Sequence, residues 1–67
     1  MAAMFEIYKD NAGEFRWRLI DINEQVIANS VESHKTKAKV MAEINSIKEN
    51  ASGAVVEDKT KVRAGSW

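Results

Sequence analysis

Acid–base chemistry in this chain would be expected to use His34, because histidine is the side-chain type that exchanges its proton near neutral pH and the sequence contains one. His34 lies in a polar stretch, where histidine is far more often a surface residue or a residue near a helix cap. No second histidine is present for a metal pair, and Glu32, two residues away, gives no helical or strand geometry that compels a dyad. Cysteine is absent, which removes thiol nucleophiles, thiolate metal ligands and disulfides. We therefore predict no catalytic residue, no cofactor and no metal site.

A second group of residues has the chemistry to bind nucleic acid, since aromatic and guanidinium groups on a sheet face can stack on bases and contact phosphates. The candidate binding surface consists of Tyr8, Arg16, Arg18, Lys35 and Lys37. The formal net charge is zero, however, so the chain has no overall field to attract a polyanion. We favour the alternative of a solvated sheet face, in which Arg16 covers Tyr8 and Arg18 pairs with Glu6.

The length of the chain favours a homodimer. Its 67 residues leave room for one core, and a single core of this size rarely contributes more than about 3 to 5 kcal/mol. Natural domains this small usually add disulfides, a metal or a partner subunit, and the composition leaves the partner subunit as the leading choice. We predict one domain over residues 1–67, with its core in 4–58 and a flexible tail over 59–67.

Charge and hydropathy along the chain bear on partners and location. Residues 1–34 carry six acidic and three basic side chains, for a net −3, and residues 35–67 carry four and seven, for a net +3. This polarity suits contacts between identical chains at least as well as a nucleic-acid surface. The N-terminal residues lack a secretory pattern, and no apolar run is long enough for a membrane span. We expect a cytoplasmic protein that does not enter a membrane.

The elements that would position these residues begin with a β-hairpin. Apolar and polar residues alternate in Phe5–Tyr8 and again in Phe15–Leu19, which is the period of two of half-buried strands. If both apolar sets share one face, Asp10 must lie opposite Glu14, leaving a three-residue loop that ends in Gly13. This register pairs Ile7 with Trp17 and Phe5 with Leu19 inside, and Tyr8 with Arg16 and Glu6 with Arg18 outside.

A third strand is predicted over 25–31, after the polar interruption Asn23–Glu24. A two-residue turn needs positive φ at both positions, which Asn23 tolerates and Glu24 does not, so a longer or bulged loop is an equal alternative. The register of this strand stays open at this stage. Either Ile27, or Val26 together with Ala28, would face the core.

The period then changes to that of a helix. Val40, Met41, Ile44, Ile47 and Ala51 form one apolar stripe, with Ser33 or Thr36 as the cap and 50–53 as the stop. Residues 54–57 resume strand character, with adjacent apolar residues typical of a strand that is covered on both sides. The predicted order is strand, strand, strand, helix, strand.

These residues resemble the YegP-like family of small prokaryotic proteins. The resemblance rests on Phe5–Asp10, on Gly13–Leu19 with its Arg16-Trp17-Arg18 block, on Gln25–Ala28 with Ser30, on Lys37 with Ala38, on Ile44 with Ser46, on Lys48–Ala51 and on Val56–Asp58. It implies an α+β fold built from a β-β-β-α-β unit, an antiparallel sheet with one helix packed on it. It also implies that units work in pairs, as tandem repeats or as two chains, sharing one sheet and exchanging their last strands.

Because this chain holds one such unit, the resemblance implies a homodimer that exchanges the Val55–Val56 strand. Glu24 replaces the glycine that is usual in the family's second turn, and His34 stands near a position that is often aromatic. The family supplies no established reaction to transfer. We therefore predict a small homodimeric scaffold or interaction module without catalytic activity, with weak nucleic-acid binding as the alternative. The candidate dimer contacts are Ile20, Ile27, Val55 and Val56.

Overall fold

The computed structural model describes residues 2–60 and contains three strands and one helix. The elements are β1 (Met4–Lys9), β2 (Phe15–Ile20), β3 (Val26–Asn29) and α1 (Lys37–Asn50). The strands form an antiparallel sheet in the order β1-β2-β3, and α1 packs on one face of it. The predicted α+β class, with one helix on an antiparallel sheet, is confirmed. Among the described residues, no helix has the length and apolar character needed to cross a bilayer.

The first hairpin has the predicted register. Ile7 lies opposite Trp17 and Phe5 opposite Leu19 on the face that contacts α1, while Tyr8 and Glu6 lie opposite Arg16 and Arg18 on the other face. The turn is closed by hydrogen bonds from the Asp10 amide to the Glu14 carbonyl and from the Gly13 amide to the Asp10 carbonyl, both at 2.9 Å. Gly13 has a φ of 78°, the left-handed conformation that glycine adopts without steric cost.

The second hairpin repeats this turn with a different residue at the left-handed position. The amide of Asp21 donates to the Gln25 carbonyl at 2.9 Å, and the amide of Glu24 donates to the Asp21 carbonyl at 3.0 Å. Glu24 has a φ of 64°, and it is the one residue besides glycine with positive φ among the described residues. Of the two alternatives left open by the sequence, the longer loop is therefore the one observed.

A β-bulge resolves the register of the third strand. Leu19 pairs with Ala28, but its neighbour Ile20 pairs with Val26, which leaves Ile27 as the extra residue. Ala28 is therefore in register with the helix-covered face, and Val26 is in register with the open face. Neither of the two registers considered from the sequence holds along the whole strand, because the bulge changes the alternation within it.

The core is small and lies between α1 and the first hairpin. Trp17, Val40 and Ile44 are buried, with Val40 fully inaccessible. The partly buried side chains around them are Phe5, Ile7, Phe15, Leu19 and Ile47. The α1 cap is Thr36, one of the two predicted, whose hydroxyl accepts a hydrogen bond from the Lys39 amide at 3.2 Å.

The predicted fourth strand is not formed in this single chain. Residues 54–57 pair with no strand, and Val55 and Val56 are 90% and 95% exposed. A strand forms only where a neighbour accepts its backbone hydrogen bonds, and none of the described residues does so. The predicted tail begins with Lys59 and Thr60, which are exposed, while its part over 61–67 lies outside the described residues.

Candidate functional site

The register of the first hairpin brings Tyr8, Arg16 and Arg18 together on the face of the sheet that α1 does not cover. Directly opposed residues of an antiparallel pair point to the same side, so Tyr8 and Arg16 are neighbours across the strands and Arg18 is adjacent. This open face therefore carries three of the five residues predicted as a binding surface.

Arg16 is held by the first turn. Its Nε lies 2.9 Å from Oδ2 of Asp10, while Oδ1 of Asp10 accepts hydrogen bonds from the amides of Ala12 and Glu14 at 2.9 and 3.0 Å. These donors, with the Arg16 guanidinium first, lower the pKa of Asp10 below its ordinary value. The same contact raises the pKa of Arg16. The carboxylate of Asp10 thus closes the turn through Oδ1 and binds the Arg16 guanidinium through Oδ2.

Arg18 is held by Glu6, as predicted, at 2.8 Å between Nε and Oε1. The guanidinium carbon of Arg18 also lies 4.5 Å from the centre of the Tyr8 ring, in cation–π contact. The sequence-based expectation that Arg16 covers Tyr8 is therefore wrong. Asp10 draws Arg16 toward the turn, and Arg18 takes the place over the ring.

The two lysines of the predicted surface lie near the first turn. Nζ of Lys35 is 3.3 Å from Oε2 of Glu14. The pKa of Glu14 is lowered, chiefly by the hydrogen bond that the Ser33 hydroxyl donates to it and next by the contact with Lys35. Lys37, the first residue of α1, lines a shallow hollow together with Ile7, Tyr8, Lys9 and Phe15.

This pairing bears on the nucleic-acid alternative. A protein gains binding free energy on a nucleic acid when its free cations neutralise phosphates and release the condensed counterions. Here Arg16, Arg18 and Lys35 are not free, because each already contacts a carboxylate. A polyanion would have to displace Asp10, Glu6 and Glu14. Three of the four cations of the candidate surface are thus already paired with carboxylates, and no observation here favours nucleic-acid binding.

His34 has a partner that the sequence did not indicate. Its Nε2 lies 3.3 Å from Oε1 of Glu43, and the same oxygen accepts a hydrogen bond from the indole Nε1 of Trp17 at 2.5 Å. The backbone of His34 pairs with Phe15, which brings the ring to the sheet. The one indication of this partner in the sequence is that an acidic residue, Glu43, directly precedes the buried Ile44 on the helix. Glu43 satisfies the N–H of a buried indole, so the first task of this cluster is to join β2, His34 and α1.

An apolar groove runs beside β1 on the helix-covered side. Its volume is about 590 Å³, and it is lined by Ala3, Phe5, Ile7, Leu19, Met41, Ile44, Asn45 and Lys48. It exists because β1 is an edge strand of the sheet, so α1 covers its inward side chains incompletely. The groove can accept an apolar side chain or an additional strand.

The four predicted dimer contacts lie in different places. Ile20 is half-buried at the end of β2, on the open face opposite Met4. Ile27 is the exposed bulge residue of β3, at the other edge of the sheet. Val55 and Val56 are exposed beyond the helix. The structure of one chain does not bring these four side chains into one patch. Over residues 2–60, no three histidine or acidic side chains converge as metal ligands.

Comparison with known families and structures gives a consistent result. The family described as "Domain of unknown function (DUF1508)" matches residues 10–58. An NMR solution structure of a protein from Haloferax volcanii superposes with a TM-score of 0.78 at 38% identity, covering 85% of this chain and 95% of that one.

Relatives with curated names are UPF0339 proteins. One from Mesorhizobium japonicum is 50% identical over 58 residues, covering 87% of this chain and 97% of its own. One from Agrobacterium fabrum is 46% identical over 56 residues, covering 84% and 89%. A third, from Stutzerimonas stutzeri and named for its place in the 5′ region of the ptx operon, is 47% identical over 51 residues, which cover 76% of this chain and 45% of that relative. These names state no reaction and no ligand.

Proposed function

We propose, on the premise that this chain belongs to the DUF1508 family of UPF0339 proteins, that it functions as a small homodimeric interaction module rather than an enzyme. The family membership confirms the resemblance to YegP-like proteins. In the proposed dimer, each chain lends residues 54–57 to its partner as the fourth strand of a shared sheet. The module would then present surfaces that both chains build together.

The exposure of Val55 and Val56 carries this proposal. Both are β-branched residues suited to a sheet. In the single chain Val55 is 90% exposed and Val56 is 95% exposed. Burying a valine side chain contributes roughly 1.5 to 3 kcal/mol. Covering both on a partner would therefore add a contribution comparable to the whole stability of a core this small.

The edge of β1 is the better acceptor for that strand. β1 has six residues paired regularly to β2, so its outer edge presents an uninterrupted row of backbone groups next to the apolar groove. The opposite edge belongs to β3, which has four residues and adjoins a bulge. Short length and bulges are features that protect an edge from further pairing.

The length of one relative gives further support for the pairing of units. The Stutzerimonas stutzeri relative matches this chain over 45% of its length, which leaves more than an equal length for a second unit. A pair of units in one chain would correspond to two chains here.

The test is the solution mass measured by light scattering. We expect the native chain to have twice its monomer mass of 7.5 kDa, and the double variant Val55→Asp/Val56→Asp to have the monomer mass. Val31→Asp is the matched control, because Val31 is 93% exposed but lies outside residues 54–57, and it should remain dimeric. A native monomer at 100 μM, or a double variant that stays dimeric, would refute the exchanged strand.

A further inference from the structure

The apolar groove beside β1 continues toward the start of α1. At Ile7 it adjoins the shallow hollow, whose volume is about 250 Å³ and which is also lined by Lys9, Phe15 and Lys37. We call the groove and the hollow together the β1 cleft. Of the described residues that line the β1 cleft, none is acidic. Its middle is apolar, and its cations lie at the two ends.

The end of the β1 cleft near the first turn is the more positive one. Lys9 and Lys37 line it, and among residues 2–60 neither has a carboxylate within ion-pair distance. Nζ of Lys9 lies 5.3 Å from the centre of the Phe15 ring, a contact that leaves its charge uncompensated. Lys37 is the first residue of α1, whose first turn holds no acidic residue, so the positive end of the helix dipole adds to the two ammonium groups.

The segment after the helix has a complementary pattern. Residues 54–58 read Ala-Val-Val-Glu-Asp, so two carboxylates directly follow the apolar residues. The hydroxyl and the amide of Thr60 donate to Oδ1 of Asp58, which lowers the pKa of Asp58 and holds it in a local turn. Glu57 contacts Lys59 at 3.7 Å, and a pair between two exposed side chains contributes little. Glu57 is therefore the carboxylate of this segment that a partner can bind.

The spacing of these residues matches that of β1. In a strand, Val55 and Glu57 point to the same face and lie about 7 Å apart. Ile7 and Lys9 have the same spacing on the inward face of β1. A strand laid parallel to β1 can thus place Val55 beside Ile7 and Glu57 beside Lys9.

The same register also accounts for the second valine. Val56 falls between Val55 and Glu57 and points to the other face, where the parallel register sets it beside Tyr8. An aromatic ring beside a β-branched side chain is a favourable neighbour pair in a sheet. Adjacent valines are then both covered, one in the β1 cleft and one on the open face.

The opposite direction is less favourable for the carboxylate. An antiparallel strand with Val55 beside Phe5 would bring Glu57 to Ala3, at the end of the β1 cleft that Lys48 lines. Lys48 belongs to the last turn of α1, where the helix dipole is negative and opposes a carboxylate. Antiparallel pairs have slightly stronger hydrogen bonding, which the second lysine and the reversed dipole offset.

We propose that the β1 cleft binds a short apolar segment followed by a carboxylate, and that a second copy of this chain supplies it as residues 54–57, laid parallel to β1. Glu57 of one chain lies between Lys9 and Lys37 of the other. This inference rests on the proposed function, because it assigns the direction and the register of the exchanged strand.

Complementary charge reversal tests the contact, with the dimer dissociation constant measured by light scattering on dilution. The variants Lys9→Glu/Lys37→Glu and Glu57→Lys each bring like charges together at both sites of the dimer, so each should raise the constant roughly tenfold or more. An equimolar mixture of the two variants should regain the native dimer mass, because opposite charges then meet at both sites. A variant that dimerises like the native chain, or a mixture that stays monomeric, would overturn the proposal.

The matched control is Lys48→Glu, at the other end of the β1 cleft. All the substituted side chains are exposed, so each variant should keep the native circular dichroism spectrum. Lys48→Glu should change the dissociation constant by no more than about twofold. An antiparallel strand would give the reverse result, with Lys48→Glu weakening the dimer and Lys9→Glu/Lys37→Glu leaving it intact.

NMR of the native chain gives a second test without substitutions. In a dimer of one isotope-labelled and one unlabelled chain, we expect contacts between the Val56 methyl groups of one chain and the Tyr8 ring of the other. Contacts from Val56 to Met4 instead would show an antiparallel strand and overturn the proposal, while strand exchange itself would stand. Failure of the proposed function is distinguishable, because the native chain would then have the monomer mass and show no contact between labelled and unlabelled chains.

Discussion

The two hairpins of this protein have turns of the same type, but they differ in the pairing and burial of their strands. In each turn an aspartate, Asp10 or Asp21, accepts hydrogen bonds through Oδ1 from the amides two and four residues later. Each places its fourth residue in the left-handed region, with φ values of 78° for Gly13 and 64° for Glu24. The turn chemistry is local, so it repeats wherever the aspartate and the loop length repeat.

The strands beyond the turns are not equivalent. The first hairpin pairs regularly and packs its inward residues against α1, and it contains the buried Trp17. The second ends in a bulge and a strand whose four residues are all exposed. Local chemistry therefore builds a turn without deciding whether its hairpin joins the core. The helix makes that difference, because one helix on a three-stranded sheet covers only part of one face.

The largest expected effect falls on the first hairpin. Trp17→Ala removes the largest side chain of the core and the donor to Glu43, and such substitutions cost about 3 to 5 kcal/mol. This equals the whole stability expected of a single core of this size, so the variant should be largely unfolded at 25 °C by circular dichroism. The control is Ile27→Ala in the second hairpin, which should change the free energy of unfolding by no more than about 1 kcal/mol. A cooperatively folded Trp17→Ala chain would contradict the contrast between the hairpins.

Removing glycine from the first turn and introducing it into the second should change the stability of the chain in opposite directions. Gly13→Ala should destabilise the chain by about 1 kcal/mol, because alanine resists positive φ, while the added Cβ would meet no atom within 4 Å. Glu24→Gly should stabilise the chain by roughly 0.5 to 1 kcal/mol for the converse reason. Urea denaturation of the two variants and of the wild type measures both changes in the free energy of unfolding. If the two changes have the same sign, the turns are not equivalent in solution.

A smaller effect is expected from acid. The lowered pKa of Asp10 means that its carboxylate favours the folded state above its ordinary pKa of 3.8, and that this contribution disappears as the pH falls through the lower folded pKa. The wild type should therefore lose stability below about pH 4, and Asp10→Asn should lose less over the same range. Glu14 also has a lowered pKa, so Asp10→Asn retains part of the dependence. Equal acid dependence of the two chains, measured by urea denaturation from pH 5 to pH 2, would argue against the Asp10–Arg16 contact.

Much of the first hairpin was predictable from residue patterns. The alternation of Phe5–Tyr8 and Phe15–Leu19, together with Gly13, defined the turn and the register, because a shift by one residue would expose every apolar side chain. The open face and the Arg18–Glu6 pair followed from that register. The partner of Arg16 did not, since Asp10 is close to it only after the turn has folded.

The sequence by itself determined the elements whose signals are local: the first turn, the alternating strands of the first hairpin and the apolar stripe of α1. It left two alternatives open for the second turn, and two for the cap of α1, which the structure resolved in favour of the longer loop and Thr36. The tertiary structure decided what depends on residues far apart in the chain. The bulge at Ile27 and the Trp17–Glu43–His34 cluster arise where β2 meets neighbours that the sequence does not place. Val55 and Val56 lie exposed for the same reason. Strand character can be read from two valines, but a strand is completed only by the backbone that pairs with it.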